Sequence, residues 1–539
     1  MSIPMAIPGL PDVFNFAHHV LELNRHRHDK LAYIDDWRRM SYGELDDETR
    51  RFAAALLALD IRPEERILLS MADTTEMPVA LLGALLAGIV PVPINPLLPM
   101  DDILYMIDHC QARAVVMSSL MSENVAEAIQ RAHEHARHTH GHAPKMPHII
   151  VSDHLKPQAR GGLPFASLLQ TGPLPQNAWA RTHADQFAFW LYSSGSTGRP
   201  KGTVHSHANL YWTAALYARP VLGIEETDIV FSAAKLFFAY GLGNGFTFPL
   251  SVGATTILMA ERPTPHAVFD RLVKHRPTIF YGVPTLYAGM LASPELPAAE
   301  AVALRLCTSA GEALPESVGK RFTEHFHCEI LDGIGSTEML HIFISNRPGE
   351  VRYGSSGKPV PGYEIEIRDE HGKPAAVGDI GDLYIQGPSA ALLYWTSRDK
   401  TRTTFQGHWV KSGDKYVVDT DGYYTYSGRS DDMLKVSGQY VSPIEVESAL
   451  MDHSAVLECA VIGTIDGQGL TRTHAYIVLK PGQHEQNDQQ ALDAELKKFV
   501  KGKLAPHKYP REITFVSELP KTATGKIQRF KLRALHQTD

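Results

Sequence analysis

Tyr192-Ser193-Ser194-Gly195-Ser196-Thr197-Gly198-Arg199-Pro200-Lys201-Gly202 is the stretch on which the reading of the whole chain depends. Gly195, Gly198 and Gly202 let the backbone turn tightly and approach a ligand. Ser193, Ser194, Ser196 and Thr197 offer hydroxyls, and backbone N–H groups in such turns form anion-binding nests. Lys201 adds a compact positive charge. The composition is that of a phosphate grip, but the spacing is not that of the P-loop. That pattern needs Gly where Pro200 stands and Ser or Thr where Gly202 follows Lys201. The flanks differ as well. Gln186 to Leu191 and Thr203 to Ser206 read as strands, with a helix starting near Asn209. The loop should therefore join two strands rather than open a helix. A flexible linker would explain the Ser and Gly content, but not a rigid Pro200 and a Lys201 between apolar strands.

Bulk properties narrow the class. The chain has 539 residues, 44% hydrophobic and 21% charged, enough for two or more globular domains. A net charge of −8 gives no support for a nucleic-acid partner. Cys110, Cys307, Cys328 and Cys459 are scattered without CxxC pairing, which fits a reducing, cytoplasmic location. Met1 to Val20 lacks the pattern of a secretory signal. The best membrane candidate, Met77 to Ile94, carries Pro78, Pro91 and Pro93, and reads better as a buried helix ending near Gly88 followed by a strand. No membrane association is expected.

On the N-terminal side of the loop, a helix over Asp46 to Leu59 precedes a strand at Ile67 to Leu69. A helix after Thr75, a strand at Ile89 to Pro93, a helix over Tyr105 to Cys110 and a strand at Ala114 to Met117 follow. This alternation predicts wound α/β layers with mostly parallel strands. Between Arg131 and His148 stand His133, His135, His138, His140, His142 and His148. Their irregular spacing and Gly, Pro and Ala neighbours favour a solvated excursion over a metal site.

On the C-terminal side, strands at Thr255 to Leu258, Thr278 to Tyr281 and Leu304 to Cys307 continue the α/β texture. From Gly362 it changes to strand–turn–strand, predicting an antiparallel subdomain. After Arg429 a small α+β unit begins: helix Ser442 to Met451, strands Ala455 to Ile462 and His474 to Leu479, helix Ala491 to Lys503 and strand Glu512 to Val516. The expected boundary divides a large domain, 1–430, from a small one, 431–539.

Further motifs fall along the chain: Leu331-Asp332-Gly333-Ile334-Gly335-Ser336-Thr337-Glu338, Ser309-Ala310-Gly311-Glu312-Ala313-Leu314-Pro315, Lys411-Ser412-Gly413-Asp414, the run Gly428 to Val441, and Pro520-Lys521-Thr522-Ala523-Thr524-Gly525-Lys526-Ile527. Singly each is ambiguous. Ser336 or Thr337 would also suit a helix N-cap, Pro315 a helix start, and Ser412-Gly413-Asp414 a turn. Together, in this order and across essentially the whole chain, they resemble the adenylate-forming enzymes: acyl-CoA synthetases, adenylation domains of peptide synthetases and luciferases.

The resemblance implies ATP, Mg²⁺ and CoA as ligands, and a small mobile C-terminal domain. Ser193, Ser194, Gly195, Ser196, Thr197, Gly198 and Lys201 would hold the β- and γ-phosphates. Gly311, Glu312, Ala313 and Asp332 would surround the adenine, and Gly333, Ile334, Gly335 and Ser336 would continue the nucleotide site. Thr337 would meet phosphate and Glu338 would bind Mg²⁺, whose hard charge prefers oxygen ligands. Asp414 would accept from the ribose hydroxyls, with Arg429 beside it. Lys526 would bridge the carboxylate and the α-phosphate, Asp431 would be the hinge, and Gly438 would line the pantetheine tunnel.

Within the family, Lys235-Leu236-Phe237-Phe238-Ala239-Tyr240-Gly241 and Met339-Leu340-His341-Ile342 look closest to benzoate-type aryl-CoA ligases. That likeness places Ala239, Tyr240, Ala310, Gly335, His341 and Ile342 around the acyl group, with Lys435 attracting its carboxylate. Small residues leave a thin slot and Tyr240 and Ile342 give flat walls, which suits one aromatic ring. His341 and Tyr240 would also hydrogen-bond a ring substituent, so benzoate, 2-aminobenzoate and hydroxybenzoates all fit. The thiol acceptor is expected to be CoA, with a carrier protein as the alternative, and the protein to be a monomer or homodimer.

Overall fold

The computed structural model describes residues 9–119, 127, 129–131, 134, 147–152, 162–193, 199–430, 433–436, 439–465, 471–480, 489–505, 508–521 and 527–536. The N-terminal layers are wound α/β, as the alternation predicts. Strands Val90–Pro93, Arg66–Ser70, Ala114–Ser118, His148–Ser152 and Leu163–Pro164 form an all-parallel sheet in that spatial order. Pro91 and Pro93 are tolerated because their strand is an edge, where a missing N–H breaks no ladder.

A nine-stranded sheet is parallel through its middle and antiparallel at both ends. Its central strands include Ile229–Ser232, Ile279–Gly282, Leu306–Ser309 and Ile330–Gly335. The predicted antiparallel subdomain is a five-stranded sheet of Glu364–Arg368, Gly381–Gln386, Phe405–Gln406, Trp409–Val418 and Tyr424–Arg429. The small C-terminal unit packs helices Pro443–Met451 and Gln489–Lys503 on strands Val456–Ile465, Thr471–Leu479 and Glu512–Phe515.

Helix Glu76–Leu86 is apolar on every side and buried along its whole length, as such a sequence requires. Gly83 lets it lie against helix Tyr42–Ala58; a Cβ there would meet Phe52 Cδ1 at 2.8 Å. Among the described residues, no helix is long and apolar enough to cross a membrane.

Several expected boundaries move. The helix expected from Asp46 starts at Tyr42, because Ser41 and Glu44 form a capping box. The helix expected from Tyr105 starts at Met100. Ser336-Thr337 caps no helix: it opens a turn in which Ser336 Oγ accepts from Met339 N at 3.1 Å. Lys411 to Asp414 is part of strand Trp409–Val418 rather than a loop. Lys411 pairs with Tyr384 and Lys415 with Asp382, so four residue steps oppose two and the strand bulges at Gly413. Of the six histidines in that stretch, only His148 is described, on its strand; His133, His135, His138, His140 and His142 lie outside the described residues.

Candidate active site

Strands Phe187–Ser193 and Lys201–Ser206 pair antiparallel, with Ser193 opposite Lys201. The opening loop thus joins two strands, as expected. Ser194, Gly195, Ser196, Thr197 and Gly198 lie outside the described residues, but the stems on both sides are fixed. Strands Leu306–Ser309 and Ile330–Gly335 lie parallel, and their C-terminal ends open on a cavity of about 740 Å³. Loops beyond the carboxyl ends of parallel strands are where α/β folds place ligands.

The cavity brings together most of the expected nucleotide residues. Ser193, Lys201, Gly311, Glu312, Ala313, Gly333, Ile334, Gly335, Ser336, Thr337, Glu338, Asp414 and Arg429 all line it. Asp332 does not; it is buried one residue behind, and its carboxyl accepts from Leu314 N at 3.5 Å. Burial pushes that carboxyl up to about 8.

At one end, Tyr394 Oη donates to Glu338 Oε1 at 2.7 Å, and Ser193 Oγ donates to the same oxygen at 3.4 Å. Lys201 Nζ stands 4.3 Å from the Tyr394 ring centre and 3.4 Å from its hydroxyl. Burial lowers the Lys201 ammonium and the Glu338 charge opposes that shift. Tyr394 was not expected here. It arrives on a two-residue strand, Leu393–Tyr394, paired with Lys201–Ser206, and nothing in its local sequence announces the contact.

His205 fixes the turn that carries Thr337 and Glu338. Its Nε2–H donates to Thr337 O at 2.8 Å, while its Nδ1 accepts from Asn209 Nδ2 at 2.9 Å. Burial lowers this imidazole to about 4, so the ring is neutral, as that tautomer requires. At the far end, Arg429 Nη1 donates to Asp414 Oδ1 at 3.1 Å. Gly413 takes φ +79, a conformation that suits glycine, and any Cβ there would touch the Arg429 guanidinium at 3.0 Å.

An aromatic corner adjoins the Gly333–Glu338 edge. The rings of Tyr240 and His341 lie 5.6 Å apart, and Phe248 and Tyr217 pack on His341 at 4.5 and 5.5 Å. Ala310 and Ile342 are buried here, and Ile342 pairs with Gly335. A Cβ at Gly335 would stand 2.6 Å from His341 O, so only glycine fits. Ala239 starts the short helix that carries Tyr240.

The Tyr240 hydroxyl, expected to hydrogen-bond a ring substituent, already has a partner within the protein. That hydroxyl is engaged with Thr308 Oγ1 at 2.5 Å, across the sheet. His341 Nε2 lies 3.2 Å from both Tyr240 O and Asn244 Oδ1, so its proton sits on Nε2. Burial lowers this ring to about 3. Its Nδ1, also buried, has no partner among the described residues.

The small unit closes the cavity through Glu447 of helix Pro443–Met451, through Lys521 and Ile527, which bridge each other, and through Arg529 at the start of helix Arg529–His536. Lys526, Asp431 and Gly438 lie outside the described residues. Lys435 belongs to strand Leu434–Val436, and its side chain is likewise outside the description. Among the described residues, no group of three or more His, Cys, Asp or Glu side chains gathers as a metal centre.

A two-part chain with a nucleotide-sized cavity between a wound α/β body and a small α+β unit defines the class, and the chain belongs to the AMP-binding enzyme family. That family matches residues 20–395, and the AMP-binding enzyme C-terminal domain matches residues 445–526. The chain is 53% identical over 537 residues to the benzoate–CoA ligase of Thauera aromatica, covering 99% of this chain and 98% of that one. It is 45% identical to a 4-hydroxybenzoate–CoA/benzoate–CoA ligase of Rhodopseudomonas palustris, covering 94% and 91%. Among solved structures, a benzoate CoA ligase from Burkholderia xenovorans LB400 superposes with a TM-score of 0.88 at 59% identity, over 96% of this chain and 100% of that one. The anthranilate CoA ligase AuaEII, in complex with anthranoyl-AMP, gives 0.91 at 41% identity, over 98% of each chain.

Proposed function

We propose that this chain is an AMP-forming aromatic acid–CoA ligase acting on benzoate and close ring-substituted relatives. The carrying observation is a cavity lined by Lys201, Thr337 and Glu338 together with Asp414 and Arg429, and by Gly335, whose strand partner Ile342 leads into the Tyr240–His341 corner; that corner lies behind the lining rather than in it. In the first half-reaction a carboxylate oxygen attacks the α-phosphorus of ATP and pyrophosphate leaves. In the second, the CoA thiol attacks the acyl carbon and AMP leaves.

Ser193, Lys201 and the loop 194–198 hold the β- and γ-phosphates. Gly311 to Ala313 border the adenine, with Asp332 behind them, and Asp414 takes the ribose hydroxyls. Lys526 contacts the reacting carboxylate and α-phosphate, and Lys435 draws the carboxylate in. Lys521 and Ile527, which flank the segment carrying Lys526, both line the cavity. This supports an arrangement suited to the first half-reaction, with domains 1–430 and 431–539 turning about Asp431 to bring Gly438 to the site for the second. The Glu338 carboxylate, facing the cavity beside two hydroxyls, is the hard oxygen donor that would hold Mg²⁺; the ion supplies neutralisation of polyphosphate charge.

The acid specificity follows from the corner. Gly335 and Ala310 leave no bulk over the ring. His341 is neutral, and its unpartnered Nδ1 would accept from an amine or hydroxyl on a ring that reached it. The likeness to benzoate ligases supports unsubstituted benzoate as the preferred acid and CoA, rather than a carrier protein, as the acceptor. A panel of benzoate, 2-aminobenzoate, hydroxybenzoates and hexanoate, assayed for CoA-dependent AMP release, tests this. Highest kcat/KM with benzoate is expected, and preference for hexanoate would contradict it.

A further inference from the structure

The segment that carries Tyr240 is anchored from a different sheet by a carboxylate to which no role has been given. Residues 233–241 leave strand Ile229–Ser232 of the nine-stranded sheet. They fold back so tightly that a Cβ at Gly241 would meet Lys235 O at 2.1 Å. Asp73 follows strand Arg66–Ser70 of the other parallel sheet. Both of its carboxylate oxygens lie 3.2 Å from Leu236 N, in a buried contact.

Lys235, next in sequence, turns its ammonium to Glu261 O at 2.7 Å and to Met259 O. Its hydrogen bonds therefore go to backbone carbonyls, and its charge acts on Asp73 through space. The carboxylate is thus left to grip one amide, four residues before Tyr240. A buried carboxylate is costly unless its oxygens are hydrogen-bonded, and here the Leu236 N–H is the donor that meets them.

Resting on the aromatic-acid reading above, we infer that Asp73 is a positioning residue for the acid pocket: it sets where Ala239 and Tyr240 stand by holding the Leu236 N–H. It touches neither substrate nor reacting atoms. Its removal should therefore loosen recognition of the aromatic ring and leave the nucleotide end unchanged.

Two readouts on the full-length enzyme test this. The first needs no substrate: amide hydrogen exchange of wild type, Asp73→Leu and Asp73→Asn. Faster exchange centred on 235–241 in Asp73→Leu is expected, with smaller acceleration in Asp73→Asn, whose carboxamide oxygen still accepts; unchanged exchange in that segment overturns the inference. The second is kinetic. In Asp73→Leu the KM for benzoate should rise about tenfold or more with the KM for ATP unchanged, and Asp73→Asn should recover most of the loss. A parallel rise in both KM values would show a merely structural role. If Asp73→Leu does not fold, Asp73→Ala takes its place, and an unchanged benzoate KM and exchange pattern in it overturns the inference. A wild-type enzyme inactive on every aromatic acid would instead overturn the substrate reading, and the exchange experiment would still decide the role of Asp73.

Discussion

Tyr394 is the side chain that turns separate motifs into one site. Its hydroxyl donates to Glu338 while its ring faces the Lys201 ammonium. Tyr394→Phe removes a hydrogen bond to a charged acceptor, so acid-dependent ATP–pyrophosphate exchange should fall about tenfold; an unchanged rate would mean that the hydroxyl does not orient Glu338. Asp332 gives a pH prediction. An ordinary Asp carboxyl titrates near 3.8 and this one near 8. Between those values the folded state keeps a proton that the unfolded state has lost, so this group's contribution to stability falls as pH rises and levels off above about 8. Asp332→Asn should therefore gain stability relative to wild type as pH rises from 4 to 8 in urea titrations. A pH-independent difference would contradict the shift. Lys201 and Glu338 were legible in sequence because each sits inside a contiguous motif. Tyr394 and the Tyr240–Thr308 contact were not, since both are made between elements distant in sequence.

Elements were more legible than their ends. Apolar runs located strands Arg66–Ser70, Val90–Pro93, Ala114–Ser118, Thr255–Ile257, Ile279–Gly282 and Leu306–Ser309, because a strand buried on both faces must be apolar throughout, but not Leu31–Ile34, Ile229–Ser232 or Ile330–Gly335. The missed boundaries have specific causes. The start at Tyr42 follows from the Ser41–Glu44 capping box, a local signal present in the sequence. Ser41→Ala should lower stability by about 1 kcal/mol in urea unfolding without changing KM for ATP; no loss would mean that the reciprocal hydrogen bonds contribute nothing. Ser412-Gly413-Asp414 resembles a turn because Gly413 needs a left-handed conformation. Only the pairing of its strand with Gly381–Gln386 shows that the same conformation makes a bulge, beside which Asp414 faces Arg429.

On the scale of the whole molecule, the order of motifs carried more information than any one of them. A large body and a small C-terminal unit meet over the cavity, and Glu447, Lys521, Ile527 and Arg529 reach it from the small unit. The sequence could not set that meeting, because relative domain placement depends on weak contacts between surfaces that each remain compatible with water. If Lys526 acts only in adenylation, Lys526→Ala should nearly abolish acid-dependent pyrophosphate release and leave aryl-CoA formation from preformed aryl-AMP largely intact. Equal loss in both half-reactions would remove the division of labour between the domain arrangements. The overall reaction is measured by the product balance with benzoate, ATP and CoA. Benzoyl-CoA, AMP and pyrophosphate are expected in equal amounts. Benzoyl-AMP accumulating unchanged by CoA, or ADP in place of AMP, would contradict it.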